Sequence, residues 1–209
     1  PYAHQARAFE AVGHGRDVVV ATATASGKSL TFQVPVLDGL ARGRTSLLLY
    51  PTKALAADQL LKLRGLAASV IDDDRASAID LYDGDTAAEH RAGVRAAVGV
   101  LLTNPDMLHY GILPHHAVWA KFLGALDFIV LDELHAYRGV LGSHVANVVR
   151  RLLRMADRYG AKPRVIAASA TIGNPAVHAE RLAGRPFELV DEDWAPSRAR
   201  EFVVWQPAA

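Results

Sequence analysis

The feature of this sequence that most constrains its fold is a regular alternation of short apolar runs with segments of helical spacing. The runs are rich in leucine or β-branched residues and are bounded by turn residues, which is typical of buried parallel strands. They cover residues 17–22, 46–50, 78–82, 99–103, 127–131 and 164–169. Helical spacing is found at residues 28–40, 53–66, 87–97, 143–158 and 175–182. Because crossovers between parallel strands are right-handed, the alternation predicts an α/β fold with helices on both faces of a mainly parallel sheet.

Composition limits the class of protein but says little about its partners. Hydrophobic residues make up 51% of the 209-residue chain, which is enough for a buried core, and the formal net charge is only +1. A nucleic-acid partner is still possible, because a few phosphate contacts need only a local basic patch. Cysteine is absent, which excludes disulfides and thiolate metal sites and favours an intracellular, cytoplasmic protein. No apolar run approaches the roughly 20 residues that span a bilayer, so we expect no membrane partner.

The first chemical motif lies where the strand at 17–22 runs into a helix. Residues 22–29 read Thr-Ala-Thr-Ala-Ser-Gly-Lys-Ser. Main-chain N–H groups at a helix N-terminus bind anions, a lysine can reach terminal phosphates, and a serine hydroxyl can bind Mg²⁺. We therefore predict a phosphate site with Lys28 on the phosphates and Ser29 on Mg²⁺. The alternative is a strand-to-helix turn that happens to contain a lysine, and the flanking elements favour the phosphate site.

The second motif is an apolar strand that ends in two acidic residues, Asp132 and Glu133. A carboxylate at the tip of a buried strand is costly unless a cation or a ligand uses it. We predict that Asp132 holds Mg²⁺ through water and that Glu133 orients and deprotonates an attacking water. The alternatives are an N-cap or a surface salt bridge. The joint occurrence of both motifs in this strand order favours catalysis.

Six segments together resemble the motifs of DEAD/DEAH-type superfamily 2 helicases. In chain order, residues 2–5, 22–29, 51–55, 103–106, 132–135 and 169–171 resemble the Q motif and motifs I, Ia, Ic, II and III. Longer strings at 82–85, 103–109 and 131–139 look like the bacterial mitomycin-repair helicases related to the fungal RecQ-four-like group. The resemblance implies a three-layer RecA-like P-loop domain. It also implies an ATP-dependent DNA helicase or translocase that uses Mg²⁺ and acts in DNA repair.

The resemblance assigns roles to matching residues. The catalytic residues would be Lys28, Asp132, Glu133 and His135, and Mg²⁺ would be held by Ser29 and Asp132 through ATP and water. Gln5 would read the adenine edge, because its side-chain amide offers both a donor and an acceptor. The nucleotide would contact Gln5, Thr24, Ala25, Ser26, Gly27, Lys28 and Ser29. Ser169 and Thr171 would couple the nucleotide state to the nucleic acid. Many relatives have glycine at the position of Ala25, so this loop has fewer permissive backbone positions.

Five residues that follow strand ends are implied to hold the backbone of a single nucleic-acid strand. They are Thr52, Lys53, Gly84, Thr103 and Asn104. Amides, hydroxyls and one cation hold phosphate oxygens without reading bases. Taken singly, helix capping explains Thr52 and Asn104 better, because both precede helical patterns.

The arginines at the end of the long helical pattern invite a similar interpretation. They are Arg150, Arg151, Arg154 and Arg158. Their spacing is equally that of a solvated helix face, which we favour.

Two other functions stay open. An RNA helicase uses the same motor, since the preference for DNA depends on the subfamily strings alone. A non-hydrolytic ATP-binding module is the second, and the presence of Lys28 and Glu133 argues against it. We expect residues 1–209 to form one domain, with 201–209 the exit toward a missing second RecA-like domain of the same chain. Without that partner, the isolated domain should be nearly inactive.

Overall fold

The computed structural model describes residues 1–23, 26–195 and 205. In this part of the chain, seven strands form one sheet in the order β3-β4-β2-β5-β6-β1-β7, and the strand pairs are parallel. The strands are β1 Val18–Ala21, β2 Thr45–Leu49, β3 Ile79–Leu81, β4 Val100–Thr103, β5 Leu126–Leu131, β6 Arg164–Ser169 and β7 Glu188–Val190. The first six confirm the predicted strands to within about a residue at each end. The strand β7 was not predicted, because it is three residues long and gains its place by pairing with β1.

Nine helices are described around the sheet. They are α1 Ala3–Gly13, α2 Leu30–Ala41, α3 Lys53–Ala67, α4 Asp73–Ala76, α5 Ala88–Ala97, α6 Pro105–Met107, α7 Ala120–Gly124, α8 Gly139–Arg158 and α9 Pro175–Ala183. A π-helical turn at Leu108–Ile112 and a 3-10 segment at Leu113–Trp119 join α6 to α7. A 3-10 turn, Leu134–Ala136, precedes α8. The helix α8 begins four residues before its predicted start at 143. The prediction missed this first turn because Val140 and Leu141 are apolar but exposed, so the sequence there does not follow the helical pattern of buried apolar residues.

Side chains that alternate along the strands face two separate cores. Val19, Ile129 and Val165 pack on the side of α8 and α9. On the opposite face, Val18 and Val130 pack with apolar side chains of α1, α2 and α3. Strands buried on both faces read as continuous apolar runs, which is why the sequence revealed them. The three-layer arrangement of the predicted fold class is confirmed.

The strand order divides the carboxyl edge of the sheet into two halves. In the β5–β6–β1 half, the loops carry the predicted phosphate, acidic and coupling residues. In the β3–β4–β2 half, the loops carry the residues predicted to touch nucleic acid. Because β2 pairs with β5, the two halves are adjacent parts of one edge.

Some predictions lie outside the described residues. These are Thr24 and Ala25 in the loop after β1, and the predicted exit at 201–209 except Trp205, which is exposed and has no regular structure. Among the helices that the structure describes, none has both the length and the apolar character needed to cross a membrane.

Candidate functional site

The loop after β1 folds around the side-chain ammonium group of Lys28. The Lys28 ammonium donates to the main-chain oxygens of Thr22 at 2.7 Å and Ala23 at 2.6 Å. The hydroxyls of Thr22 and Ser26 lie 2.7 Å apart. Burial lowers the pKa of Lys28, and the negative charges of nearby carboxylates partly oppose that shift. The lysine is therefore held at the loop by carbonyl oxygens that a stronger anionic acceptor can replace.

Gln5 ties α1 to the same loop. Its side-chain nitrogen donates to the Gly27 carbonyl oxygen at 3.0 Å, and its side-chain oxygen accepts from the Tyr2 amide at 2.8 Å. Gly27 has φ +81°, and a Cβ there would lie 2.7 Å from the Gln5 nitrogen. Glycine is therefore required both by the backbone and by the close approach of Gln5. An amide has a second N–H and a second lone pair, so Gln5 keeps capacity for an adenine edge.

Asp132 directly follows β5 at the centre of the edge. Its carboxylate accepts from the Glu133 amide at 2.8 Å, and its own amide donates to the Leu49 carbonyl oxygen at 3.1 Å. The pKa of Asp132 is raised to about 6, mainly by burial and also by the charge of Glu133, while the Glu133 amide and Lys28 act to lower it. The charged carboxylate is therefore short of compensation in the free protein. A cation at this point would supply it.

Glu133 and His135 connect the acidic strand to the loop after β6. Glu133 has φ 51°, a left-handed backbone, and its carboxylate lies 3.2 Å from His135 Nδ1. The Ala170 amide donates to that same Nδ1 atom at 3.4 Å. One ring nitrogen carries either a proton or a lone pair, so it cannot donate to Glu133 while it accepts from Ala170. Whether Nδ1 carries a proton, which the tautomer of a neutral ring already decides, therefore selects between the two contacts.

The predicted coupling residues lie beside this connection. Ser169 ends β6 opposite Ala21 of β1, and its buried hydroxyl has no hydrogen-bond partner within the described ranges. Thr171 is exposed. Ser29 immediately precedes α2, and its side chain makes no capping hydrogen bond there. The structure thus brings the described ATP-site and coupling residues to one half of the edge.

Asp193 is a site residue that the sequence analysis missed. Its carboxylate accepts from the Ala23 amide at 3.1 Å, and its charge acts on the pKa of Lys28. The neighbouring Glu192 pairs with Arg7 of α1 at 3.1 Å. In the sequence, residues 191–193 read only as a short acidic stretch after a turn. In the fold, the Asp193 carboxylate accepts a hydrogen bond from a main-chain amide of the predicted phosphate loop.

Two buried tyrosines also escaped the sequence analysis. Burial and the charge of Asp132 raise the pKa of both Tyr50 and Tyr137, so both phenols stay neutral. The Tyr137 hydroxyl has no hydrogen-bond partner among the residues that the structure describes. The apolar sequence at the end of β5 does not indicate that these two tyrosine rings lie near the Asp132 carboxylate.

In the β3–β4–β2 half, polar side chains are engaged locally. The Thr52 hydroxyl accepts from the Leu55 amide at 3.3 Å and caps α3, and the Asn104 side chain accepts from the Met107 amide at 2.8 Å and caps α6. The Thr103 hydroxyl is buried and donates to the Tyr82 carbonyl oxygen at 2.6 Å. Capping therefore accounts for Thr52 and Asn104, and their contact with nucleic acid stays a prediction.

Lys53 is the exposed cation of this half. Its ammonium lies 2.9 Å from the Asp85 carboxylate, and the Lys53 side chain is 47% exposed. Gly84 sits against it, because a Cβ at Gly84 would lie 3.3 Å from the Lys53 ammonium. The Asp83 carboxylate accepts from the amides of Asp85 and Thr86 and so shapes this loop. An exposed ion pair is weak, so a phosphate can displace Asp85 from Lys53 at little cost.

Comparison with known proteins agrees with this geometry. The sequence profile of the DEAD/DEAH box helicase family matches residues 2–179. The chain is similar to the ATP-dependent helicase YprA of Bacillus subtilis (strain 168), named as uncharacterised, with 48% identity over 99% of this chain and 27% of that protein. It is 42% identical to the ATP-dependent helicase HRQ1 of Saccharomyces cerevisiae over 99% of this chain and 20% of that protein. The chain therefore spans about a quarter of the length of the first relative and a fifth of the length of the second.

A solved structure is also similar. The crystal structure of the DUF1998 helicase MrfA bound to DNA and AMPPNP superimposes with a TM-score of 0.87 and 47% identity. The match covers 94% of this chain and 27% of that one. The two proteins therefore share nearly half of their aligned residues as well as the fold.

Proposed function

The chain belongs to the DEAD/DEAH box helicase family, and from this membership we propose that it is the ATP-binding, first RecA-like motor domain of a DNA helicase or translocase. One observation carries the proposal. Lys28 after β1 and the carboxylates Asp132 and Glu133 after β5 lie close enough for their charges to act on the pKa of the lysine. A cation and two carboxylates that converge across β6 form the charge arrangement that phosphoryl transfer from ATP needs.

The residues present fit Mg²⁺–ATP. Ser29 offers a hydroxyl without a capping bond, and Asp132 offers a carboxylate that burial leaves short of positive charge. Both are hard oxygen ligands, and Mg²⁺ is commonly held by one or two carboxylates together with phosphates and water. When bound, Mg²⁺ would neutralise charge on the phosphate oxygens. Lys28 would exchange the carbonyl oxygens of Thr22 and Ala23 for phosphate oxygens of the nucleotide.

Glu133 is the group that accepts the proton of the attacking water in this proposal. Its side chain is 41% exposed, so solvent water reaches it. When His135 Nδ1 carries no proton and accepts from the Ala170 amide, the Glu133 carboxylate is left free to take a proton. When Nδ1 carries a proton, it donates to Glu133 and no longer accepts from Ala170. This exchange would transmit the state of the catalytic carboxylate to the loop of Ser169 and Thr171.

Single-stranded DNA is the proposed second substrate. The similar MrfA structure contains DNA. The family resemblance implies that the strand would contact Thr52, Lys53, Gly84, Thr103 and Asn104. The exposed Lys53 and the capped helix ends after β2 and β4 suit a backbone held by phosphate contacts. RNA presents the same phosphates and is the alternative substrate. A role in DNA repair follows from the resemblance to the mitomycin-repair group, a cytoplasmic location follows from the absence of cysteine, and both belong to the proposal.

A second RecA-like domain is also part of the proposal. The relatives are about four to five times longer than this chain, as the coverage of 27% and 20% indicates. In two-domain motors, an arginine from across the cleft stabilises the transition state and contributes about 10³ to 10⁵ in rate. Residues 1–209 alone should therefore bind nucleotide yet hydrolyse it very slowly.

The decisive experiment is Glu133→Gln in the full-length protein. Loss of the proton acceptor at nearly constant shape should lower single-strand-stimulated hydrolysis about 10²-fold or more, while Mg²⁺–ATP and DNA still bind. Glu89→Gln, an exposed carboxylate in the first turn of α5, is the matched control. Stimulation is measured with DNA and RNA of the same sequence. Near-normal hydrolysis by Glu133→Gln would remove the catalytic role of Glu133, and stimulation by RNA alone would select the RNA helicase.

A further inference from the structure

A groove separate from the ATP site lies between the helical segment that follows β4 and the outer face of α8. Its volume is about 480 Å³. The polar side chains that line it are Asp106, His109, Tyr110, His144, Asn147, Arg151 and Arg154. Val145 and Val148 of α8 also line the groove, and both are buried. The groove therefore has an apolar base and a polar, mainly basic rim.

The charge of this groove is not neutralised locally. Two guanidinium groups line it together with a single carboxylate, that of Asp106. None of the ion pairs among the described residues includes Arg151 or Arg154. The adjacent Arg150 differs, because it donates to the Arg181 carbonyl oxygen and so joins α8 to α9. Arg151 and Arg154 therefore have no ion pair among the described residues to break before they bind an anionic ligand.

An exposed aromatic ring lies on the rim of the same groove. Tyr110 is 72% exposed, and its ring meets the His109 ring edge to face with centroids 4.5 Å apart. The buried His109 Nδ1 has no hydrogen-bond partner within the described part of the chain. An exposed ring offers a stacking surface to any nucleic-acid base, and such stacking is worth about 1–3 kcal/mol per base. An aromatic ring with cations beside it is typical of sites that bind single-stranded nucleic acid.

The groove is continuous with the β3–β4–β2 half. Its first lining residues, Pro105 and Asp106, directly follow Asn104 at the end of β4. We propose that single-stranded DNA leaving the contacts of that half enters this groove, with phosphates on Arg151 and Arg154 and a base stacked on Tyr110. The inference rests on the proposed function and extends its DNA track beyond the family motifs.

The test compares strand lengths in the full-length protein. Fluorescence anisotropy measures binding of single-stranded DNA from about 4 to about 20 nucleotides, a range that covers typical site sizes of about 4–16 nucleotides. The wild type should gain affinity as the strand becomes long enough to reach the groove. The double variant Arg151→Gln with Arg154→Gln should lose that gain. Its slope of log K against log salt on long strands should fall by about 1.4, because each single-strand phosphate contributes about 0.7.

Two further variants sharpen the test. Tyr110→Ala should weaken long-strand binding about 5-fold or more, with little effect on the fold because the ring is exposed. Arg158→Gln, an exposed arginine at the end of α8 that does not line the groove, should bind all lengths like the wild type.

The outcomes separate this inference from the proposed function. If the double variant keeps the length-dependent gain, or loses short-strand and long-strand binding equally, the groove does not hold the strand and the inference is overturned. In either case, single-strand-stimulated hydrolysis by the wild type leaves the proposed function standing. If the wild type neither binds single strands nor responds to them, the proposed function itself fails. A gain that disappears only in the groove variants supports the inference.

Discussion

In the β5–β6–β1 half of the sheet edge, charged groups are buried with incomplete compensation. Burial raises the pKa of Asp132 to about 6 and lowers that of Lys28. In the β3–β4–β2 half, Lys53 and Asp85 form an exposed ion pair, and Thr52 and Asn104 already cap helices. In the β5–β6–β1 half, burial of the charged groups costs free energy in the free protein, and a ligand of opposite charge would reduce that cost. The second half is satisfied in the free protein and gains little from any single contact.

The difference indicates two kinds of ligand binding. A nucleotide that meets buried, under-compensated charges should depend heavily on individual side chains. A strand that meets exposed, satisfied groups should be held by many weak contacts and should be sensitive to salt. Substitutions in the two halves should therefore differ in size, and the predictions below run from the largest effect to the smallest.

Lys28→Ala should weaken ATP binding by about 10²-fold, because charge-assisted hydrogen bonds to phosphate are worth about 1.5–3 kcal/mol. The fold should be retained, since Lys28 bonds only to loop carbonyl oxygens. Titration with a fluorescent ATP analogue measures the affinity, with Lys62→Ala on the exposed side of α3 as the control. Unchanged affinity in a folded Lys28→Ala protein would exclude the phosphate assignment.

Asp132→Asn should stabilise the nucleotide-free protein by roughly 2–3 kcal/mol at pH 8 in metal-free buffer. The pKa of Asp132 is about 6 in the folded state against an ordinary value of 3.8. The folded state therefore binds this proton more tightly than the unfolded state, so wild-type stability falls as pH rises from about 4 through about 6. The advantage of the variant should be full above that window and absent below it.

Urea denaturation across this pH range measures the effect, with Asp85→Asn as the control because Asp85 is an exposed carboxylate of the other half. An advantage that stayed constant from low to high pH would show that charge burial is not its cause.

Asp193→Asn should strengthen nucleotide binding about 2- to 5-fold. The carboxylate accepts from the Ala23 amide and attracts Lys28, so it competes with phosphate for the loop. Asp191→Asn, an exposed neighbour, is the control, and both are compared by nucleotide titration at fixed salt. Weaker binding by Asp193→Asn would mean that the carboxylate assists the nucleotide instead.

Lys53→Ala should weaken single-stranded DNA binding only about 2- to 5-fold, because an exposed pair is worth about 0.2–1 kcal/mol. The slope of log K against log salt should fall by about 0.7. Anisotropy at several salt concentrations measures both quantities, again with Lys62→Ala as the control. A loss of 100-fold would show that Lys53 is desolvated in the complex and that the two halves do not differ as described.

The sequence by itself determined β1 to β6 and the helices α2, α3, α5, α8 and α9, and it located the loop that is predicted to bind phosphate. Each depends on neighbours in the chain: two-faced burial makes a continuous apolar run, and the Gly-Lys-Ser segment needs only a strand before it and a helix after it. Prediction failed for the elements whose burial depends on residues that are distant in the sequence. The helix α1 has few large apolar residues, and β7 is too short to read without its partner β1.

Only the tertiary structure decided which groups meet at the edge. Asp193 reaches Ala23 across 170 positions because β7 pairs with β1, and Ala170 reaches His135 across 35 because β6 pairs with β5. The pKa of Asp132 likewise depends on burial by Tyr50, Tyr137 and the sheet, which no local pattern encodes. Local periodicity is set by backbone geometry along the chain, whereas desolvation and pairing depend on what the fold brings together from a distance.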